Sequence, residues 1–349
     1  MRRIRRHLSV FAGAALAAIT IAGAAAAADD TINITLITKD PDNHFWTAMV
    51  EGAQKAAKEQ NAAITVAAGR DQTDADGQIQ AIEYAVQRGD NGILIANNGP
   101  AVNAAIQKAR DAGLYVLALD TPTDPTNLVD ATFASDNFQA GELIGKWAAG
   151  ALGGKKATIA LLDLFADKIV TIDYQRDQGF LKGMGIDLKD EKKNGDEAKT
   201  GSYSGGEYEI VCNQATNGAE DGGRTAMENC LSLNPAINVV FSANETSGVG
   251  AVQALKAAGV KDALVVSIDG SCRGVKAVAD GDFGAVAQKY PSTMGKLGVE
   301  AIVNHLRNKV DPKPTEGLDF INTGIALVAD KAAKGVDAID SKKGTDLCW

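Results

Sequence analysis

The patterning of the chain predicts an α/β fold of two similar lobes, each a parallel sheet covered by helices on both faces, and three observations carry that expectation. From residue 32 onward, short β-branched apolar runs alternate with longer amphipathic runs rich in Ala, Lys, Glu and Gln, as in repeated strand–helix units. The rhythm pauses over SDNFQAGELIGKWAAGALGG, residues 135–154, and then starts again. With the N-terminal segment set aside, about 320 residues remain, more than one core usually serves.

In chain order, TINITLIT, AAITVAA, GILIAN and LYVLALD are the strands of the first set. Between them FWTAMVEGAQKAAKEQ, DGQIQAIEYAVQRG and AVNAAIQKARDAG have apolar residues at helical spacing. The second set runs TIALLDL, a helix through DYQRDQGFLKGM, YEIVC, a helix near GRTAMENCL, INVVFS, the helix ETSGVGAVQALKAAG, LVVSID and GAVAQ. Near-continuous apolar strands joined by helices are those of a doubly wound sheet buried on both sides. The segment at 186–208, containing DLKDEKKNGDEAKTGSYSGGE, breaks the second set with charge and glycine and is expected to be a solvated excursion.

Residues 1–28 carry four arginines and no acid, then a short small-residue apolar stretch, and read as a secretory signal peptide cleaved near Ala28. Removing those arginines takes the formal charge from -9 to -9 - 4 = -13. No Lys/Arg cluster remains that follows a phosphate backbone, so nucleic acid is not an expected partner. All four cysteines, Cys212, Cys230, Cys272 and Cys348, lie in the exported part, and their even number in an oxidising compartment predicts two disulfides. Three pairings are open; the bracketing of a Gly/Asn-rich loop and short helix favours Cys212 with Cys230, leaving Cys272 with Cys348. None has CxxC spacing, which argues against a redox or zinc role.

Ligands of open parallel sheets bind beyond the carboxyl ends of strands, and those positions are polar in this chain. They hold Asp42 and Asn43, Asn97 and Asn98, Asp120, Asn244 and Glu245, Asp269, and Gln288. Each alone has a structural reading, since Asn and Asp are common in turns and at helix N-caps; Asp136 and Asn137 read as such a cap. Two acids and several amides at corresponding ends of both lobes suit an uncharged polyol. Each sugar hydroxyl donates and accepts, so carboxylates accept from hydroxyls while amides and a guanidinium donate to them. The C–H faces of such a ring need apolar cover, which Phe45 and Trp46 of DNHFW supply.

Enzyme signatures are missing. No GxGxxG follows the first strand, GALGGKK lacks P-loop spacing, no GxSxG elbow appears, and only His44 and His305 remain after signal removal. No cofactor and no metal is expected from this inventory.

The ordered series DNHFW, LALD, ASDN, QRDQGF, SANE, SIDG and AQKYP in an exported chain resembles the periplasmic sugar-binding proteins of ABC importers, in the ribose/fructose branch. The segment NQATNGAEDGGRTAMENC is similar to fructose-binding members. The resemblance implies a type I binding protein, monomeric, with three hinge strands near 135–137, 288–290 and 320–322. One lobe would comprise 29–134 plus 291–319 and the other 138–287 plus 323–349. It implies that Asn43, Phe45, Trp46, Asn97, Asp120, Arg176, Asn244, Asp269 and Gln288 contact one monosaccharide, with either Asn97 or Asn98 in its place in the sequence. It also implies a membrane ABC permease as partner, with a chemoreceptor or sensor kinase as the alternative destination and a secreted carbohydrate-active enzyme as the less favoured class. Thr121 stands where ribose binders carry Arg, and the loop after GILIA is shorter, so the resemblance does not imply simple ribose specificity.

Overall fold

The computed structural model describes residues 31–349; the signal-peptide expectation for residues 1–28 lies outside them. The first lobe contains β1 (Ile32–Thr38), α1 (His44–Glu59), β2 (Ala62–Ala68), α2 (Ala75–Arg88), β3 (Gly92–Ile95), α3 (Asn103–Asp111), β4 (Tyr115–Leu119) and β5 (Ala131–Ala134). The chain then crosses into α4 (Asn137–Leu152), β6 (Ala157–Asp163), α5 (Thr171–Met184), β7 (Thr200–Tyr203), β8 (Gly206–Ala215), α6 (Glu220–Leu233), β9 (Val239–Ser242), α7 (Glu245–Ala257), β10 (Leu264–Asp269), α8 (Cys272–Asp280) and β11 (Ala285–Gln288). It returns through α9 (Pro291–Asn308) and β12 (Ile321–Asn322), and ends in β13 (Ala326–Val328) and α10 (Ser341–Leu347).

The first sheet has the order β12-β5-β4-β3-β1-β2, parallel throughout. The second has the order β13-β11-β10-β9-β6-β8-β7, parallel except for β13 and β7 at its edges. Counted within each lobe, the five parallel strands that precede the return crossing follow one order, 2-1-3-4-5, so the two halves are doubly wound alike. Successive strand side chains point to opposite faces. Thus Leu94 and Ala96 pack with Phe45, Met49 and Ile302 on one side of the first sheet, while Ile93 and Ile95 pack with Ile82 and Ile106 on the other. Both faces are buried, which is why these strands read as unbroken apolar runs.

Helices pair through glycine. A Cβ on Gly141 would sit 2.2 Å from the carbonyl oxygen of Arg176, one on Gly145 2.2 Å from that of Phe180, and one on Gly179 2.2 Å from that of Phe138. No real contact is that short, so α4 and α5 lie backbone to backbone only because those side chains are absent. Gly52 and Gly295 bring α1 and α9 together in the same way.

Three strands of chain pass between the lobes. The first lies at 135–136, between β5 and α4, and the second at 289–290, between β11 and α9. The third falls later than expected: Ile321–Asn322 pairs with β5 in the first sheet, and Thr323 N donates to Ala134 O at 2.9 Å. The passage to β13 is therefore 323–325. Two further expectations meet the structure here. Cys212–Cys230 and Cys272–Cys348 are the two disulfides, with Cα separations of 5.7 and 4.9 Å. The segment 186–208 is not a wholly solvated excursion, because 200–203 pairs antiparallel with β8 and Glu197 is only 5% exposed.

Candidate functional site

The carboxyl ends of the two sheets face one another, and the side chains there meet in a cavity of about 20 Å³, room for about one water molecule. Seven of the nine residues singled out from the sequence line it: Asn43, Phe45 and Trp46, then Asp120, Arg176, Asn244 and Asp269. Gln72, Leu164 and Ile172 complete the wall. A larger cavity of about 400 Å³ shares Asn43, Gln72 and Asp269 with it.

Arg176 is the centre of the site. Its place on α5 puts the guanidinium 3% exposed between the lobes; Nε donates to Asn137 Oδ1 at 2.9 Å and Nη1 to Ala243 O at 2.8 Å. Nη2 lies 3.9 Å from Asp120 and 4.0 Å from Asp269, so one cation stands between two acids from different sheets. Asp120 follows, and Asp269 ends, the fourth parallel strand of its lobe, and both have left-handed backbones, φ 63° for Asp120 and 124° for Asp269. Asp tolerates such angles better than most residues, and the turn aims both carboxylates into the cleft.

The two acids differ electrostatically. Burial pushes Asp120 up, but Lys289, Arg176 and Lys39 outweigh it and hold the carboxyl below the usual range. Asp269 is raised, because burial there exceeds the opposing pull of Arg176 and Lys289. Glu245, on the first turn of α7, is pushed up to about 7 by burial although Ser271 donates to it from both backbone and hydroxyl.

Asn43 and Asn244 serve two purposes. Each is an N-cap: Asn43 Oδ1 accepts from Phe45 N at 2.9 Å, and Asn244 Oδ1 accepts from Ser247 N at 3.3 Å. Each also presents an edge to the cavity. Phe45 and Trp46 are 4% exposed and meet edge to face, with centroids 4.8 Å apart. Trp349 meets the far edge of Phe45 at 5.3 Å. Its indole Nε1 donates to Lys289 O at 2.8 Å, and the Cys272–Cys348 disulfide ties the preceding residue to α8.

Asn97 and Gln288 stand off the cavity, and their amides, like that of Asn244, which donates to Gly218 O at 2.9 Å, bond to the backbone. Asn97 Nδ2 donates to Thr121 O at 2.7 Å and Oδ1 accepts from Gly99 N. Gln288 Nε2 donates to Gly270 O and Gly344 O, each at 3.0 Å. Asn98 is also off it, donating to Asp74 O at 3.1 Å.

The sequence reading passed over four residues. Lys289 pairs with Asp120 and lies 5.2 Å from the Phe45 ring. Lys39 is 0% exposed, its Nζ without a partner and 5.8 Å from the Trp46 ring; burial pulls it down to about 7. Asn137, expected as a cap, accepts from Arg176 and Lys289 instead, while Asp136 makes the cap. Gln72 is the fourth. Lys39 and Lys289 stand directly after strands, so the strand-end rule reaches them too.

The lobes touch around the site. Thr171 Oγ1 donates to Pro122 O at 2.7 Å, and Lys168 Nζ donates to Gln72 O and Asn98 O at 3.2 and 3.1 Å.

A sequence model of the periplasmic binding protein domain matches residues 34–309. The chain belongs to the periplasmic binding protein family. Among characterised members, this periplasmic binding protein is 32% identical over 259 residues to the D-apiose import binding protein of Actinobacillus succinogenes, covering 74% of this chain and 76% of that one. It is 27% identical over 280 residues to the ribose import binding protein of Bacillus subtilis, covering 80% and 82%. Among solved structures, a solute-binding protein from Agrobacterium vitis with bound D-fucose matches with a TM-score of 0.74 at 24% identity, over 91% of this chain and all of that one. One from Actinobacillus succinogenes with bound D-allose matches at 0.73 and 23%, over 90% and 99%. At those identities the structural matches establish the shared periplasmic binding protein fold.

Proposed function

We propose that this protein is the periplasmic monosaccharide-binding component of an ABC importer, exported by its first 28 residues and delivering sugar to a membrane permease without chemical turnover. The observation that carries this reading is the placement of Arg176 between Asp120 and Asp269, one acid from each sheet, beside two aromatic rings. Two carboxylates accept from hydroxyls, the guanidinium and the amides of Asn43 and Asn244 donate to them, and Phe45 and Trp46 cover a C–H face. Hydrogen bonds to charged partners contribute roughly 1.5–3 kcal/mol each, and a buried partner left unpaired by the wrong sugar costs a similar amount, which is the basis of selectivity. A cavity of about 20 Å³ does not hold a monosaccharide, so entry requires the lobes to rotate apart about the three crossings, and the sugar then favours closure by contacting both.

The names of the relatives, an apiose and a ribose importer component, support a small aldose or ketose as cargo; fructose, favoured by the motif resemblance, stands beside them. The test is a thermal-shift panel of apiose, ribose, allose, fucose and fructose, followed by calorimetry. One sugar at about 100 times its Kd is expected to add roughly 2.7 kcal/mol of stability. A panel in which no monosaccharide shifts the transition, while a different solute class does, would overturn the reading.

A further inference from the structure

Among the described residues, thirteen buried side-chain polar atoms lack a hydrogen-bond partner, and nine of them belong to one place. That place lies where the end of β6, the middle of α5, the chain at 194–197 and β8 come together. Asp163 leaves both oxygens unpaired, Glu197 leaves both, and Asp177, Gln178, Asn194 and Asp196 leave one each; the ninth atom is the Asn213 amide nitrogen. Asp163, Asp177, Gln178 and Glu197 are between 0% and 5% exposed.

Buried polar groups are almost always satisfied, and an isolated buried carboxylate is costly. Eight such oxygens in one place call for a donor or a cation. Asp163 has the side chains of Asp177, Asn194 and Asn213 within hydrogen-bonding reach, yet neither of its oxygens has a partner of normal bond geometry. The groups are near one another without closing on one another. Gln178 adds an uncharged member: its amide nitrogen donates to Asp177 Oδ2 at 2.9 Å and to Lys193 O at 3.2 Å, while its fully buried oxygen has no donor. The loop is held down by Gly195, whose left-handed φ of 75° and closeness to Asn213, 3.4 Å from a would-be Cβ, bring Asn194 and Asp196 over β8.

We propose that this cluster is a binding site for a hard divalent cation, Ca²⁺, with Asp163 and Asp177 as the charged ligands and the side-chain oxygens of Gln178 and Asn194 completing the shell. No group of three or more His, Cys, Asp or Glu among the described residues forms a metal cage by itself; the site proposed takes two carboxylates with amide oxygens, a donor mixture Ca²⁺ accepts in flexible geometry and Mg²⁺ does not favour. Glu197 stands near enough to add negative potential. The cation would clamp the 194–197 loop to the second lobe directly behind the sugar site, since Leu164 and Arg176, the chain neighbours of Asp163 and Asp177, line the cavity.

The experiment uses the exported chain, stripped with EGTA, dialysed, and titrated with CaCl₂ by calorimetry, with elemental analysis of the protein as purified and MgCl₂ as a parallel arm. About one Ca²⁺ per chain is expected, and saturating Ca²⁺ should raise Tm by about 5 °C over the EGTA-treated protein. Asp177→Asn and Glu197→Gln each remove a buried charge, so both should fold without the metal, with the Ca²⁺ response of Asp177→Asn lost and that of Glu197→Gln reduced at least tenfold in affinity. The proposal is overturned if the stripped protein gives no heat with Ca²⁺ and the same Tm with and without it, or if Asp177→Asn binds Ca²⁺ like the parent.

Discussion

Arg176→Ala is expected to lower monosaccharide affinity below detection in calorimetry. The guanidinium faces Asp120, Asp269, Asn137 and the Ala243 carbonyl together, so its loss removes a sugar donor and the cation that stands between the two acids. It also leaves the buried acids with Lys289 as their nearest cation, and breaking one side of a buried ionic arrangement costs up to about 3–5 kcal/mol. The variant is therefore expected to melt several degrees below the parent while keeping its circular dichroism at 25 °C. Arg176→Lys separates the two effects: it restores the charge but not the planar fork, so stability should recover more than affinity. Affinity of Arg176→Ala within tenfold of the parent would remove Arg176 from the site.

Lys39→Met should make the protein more stable. The ammonium is fully buried without a hydrogen-bond partner, and Arg176, Lys168 and Lys289 oppose its charge while Asp120 favours it. Burial is the largest cause of its fall from 10.5 to about 7. A folded pKa below the unfolded one means that the unfolded chain binds more protons between those values, so this residue makes stability rise with pH from about 7 to about 10.5. Below about 7 its full penalty is felt. At about 1.4 kcal/mol per pKa unit, replacing it with an apolar side chain of similar length should contribute on the order of a few kcal/mol at neutral pH. Urea midpoints of parent and variant at pH 6, 8 and 10 are the measurement: the difference should be largest at pH 6 and shrink toward pH 10. A difference that does not change with pH, or a less stable variant, contradicts the assignment of Lys39 as a buried unpaired amine.

The positions of Asp120, Arg176 and Asp269 are legible in the sequence. Alternating apolar and amphipathic runs, interrupted once, are enough to specify two doubly wound sheets, and the rule that sites lie beyond strand ends then selects Asp120 and Asp269. What the rule cannot do is tell which amide at a strand end looks into the cleft. Asn97 and Gln288 have the right chemistry and address, but a neighbouring loop claims each of them, and that depends on contacts such as Gln288 with Gly344, which are 56 residues apart. Lys39 and Lys289 were passed over because lysine is rarely buried, and only the convergence of two lobes puts them inside. The 186–208 segment misled for a related reason: its low apolar content reads as solvated, whereas the structure buries polar side chains there in the cluster that holds Asp163 and Asp177.

The contact between Trp349 and Phe45 has an optical consequence. The chain has three tryptophans; Trp147 is fully buried in the second lobe and donates to Lys331 O, whereas Trp46 and Trp349 flank Phe45 from opposite lobes. Parting the lobes would separate Trp349 from Phe45 and bring water to Trp46, while Trp147 stayed dark to the change as a constant background. Intrinsic emission is thus expected to shift as the lobes part, through the changed surroundings of Trp46 and Trp349, so the protein would serve as its own unlabelled reporter of opening and closing.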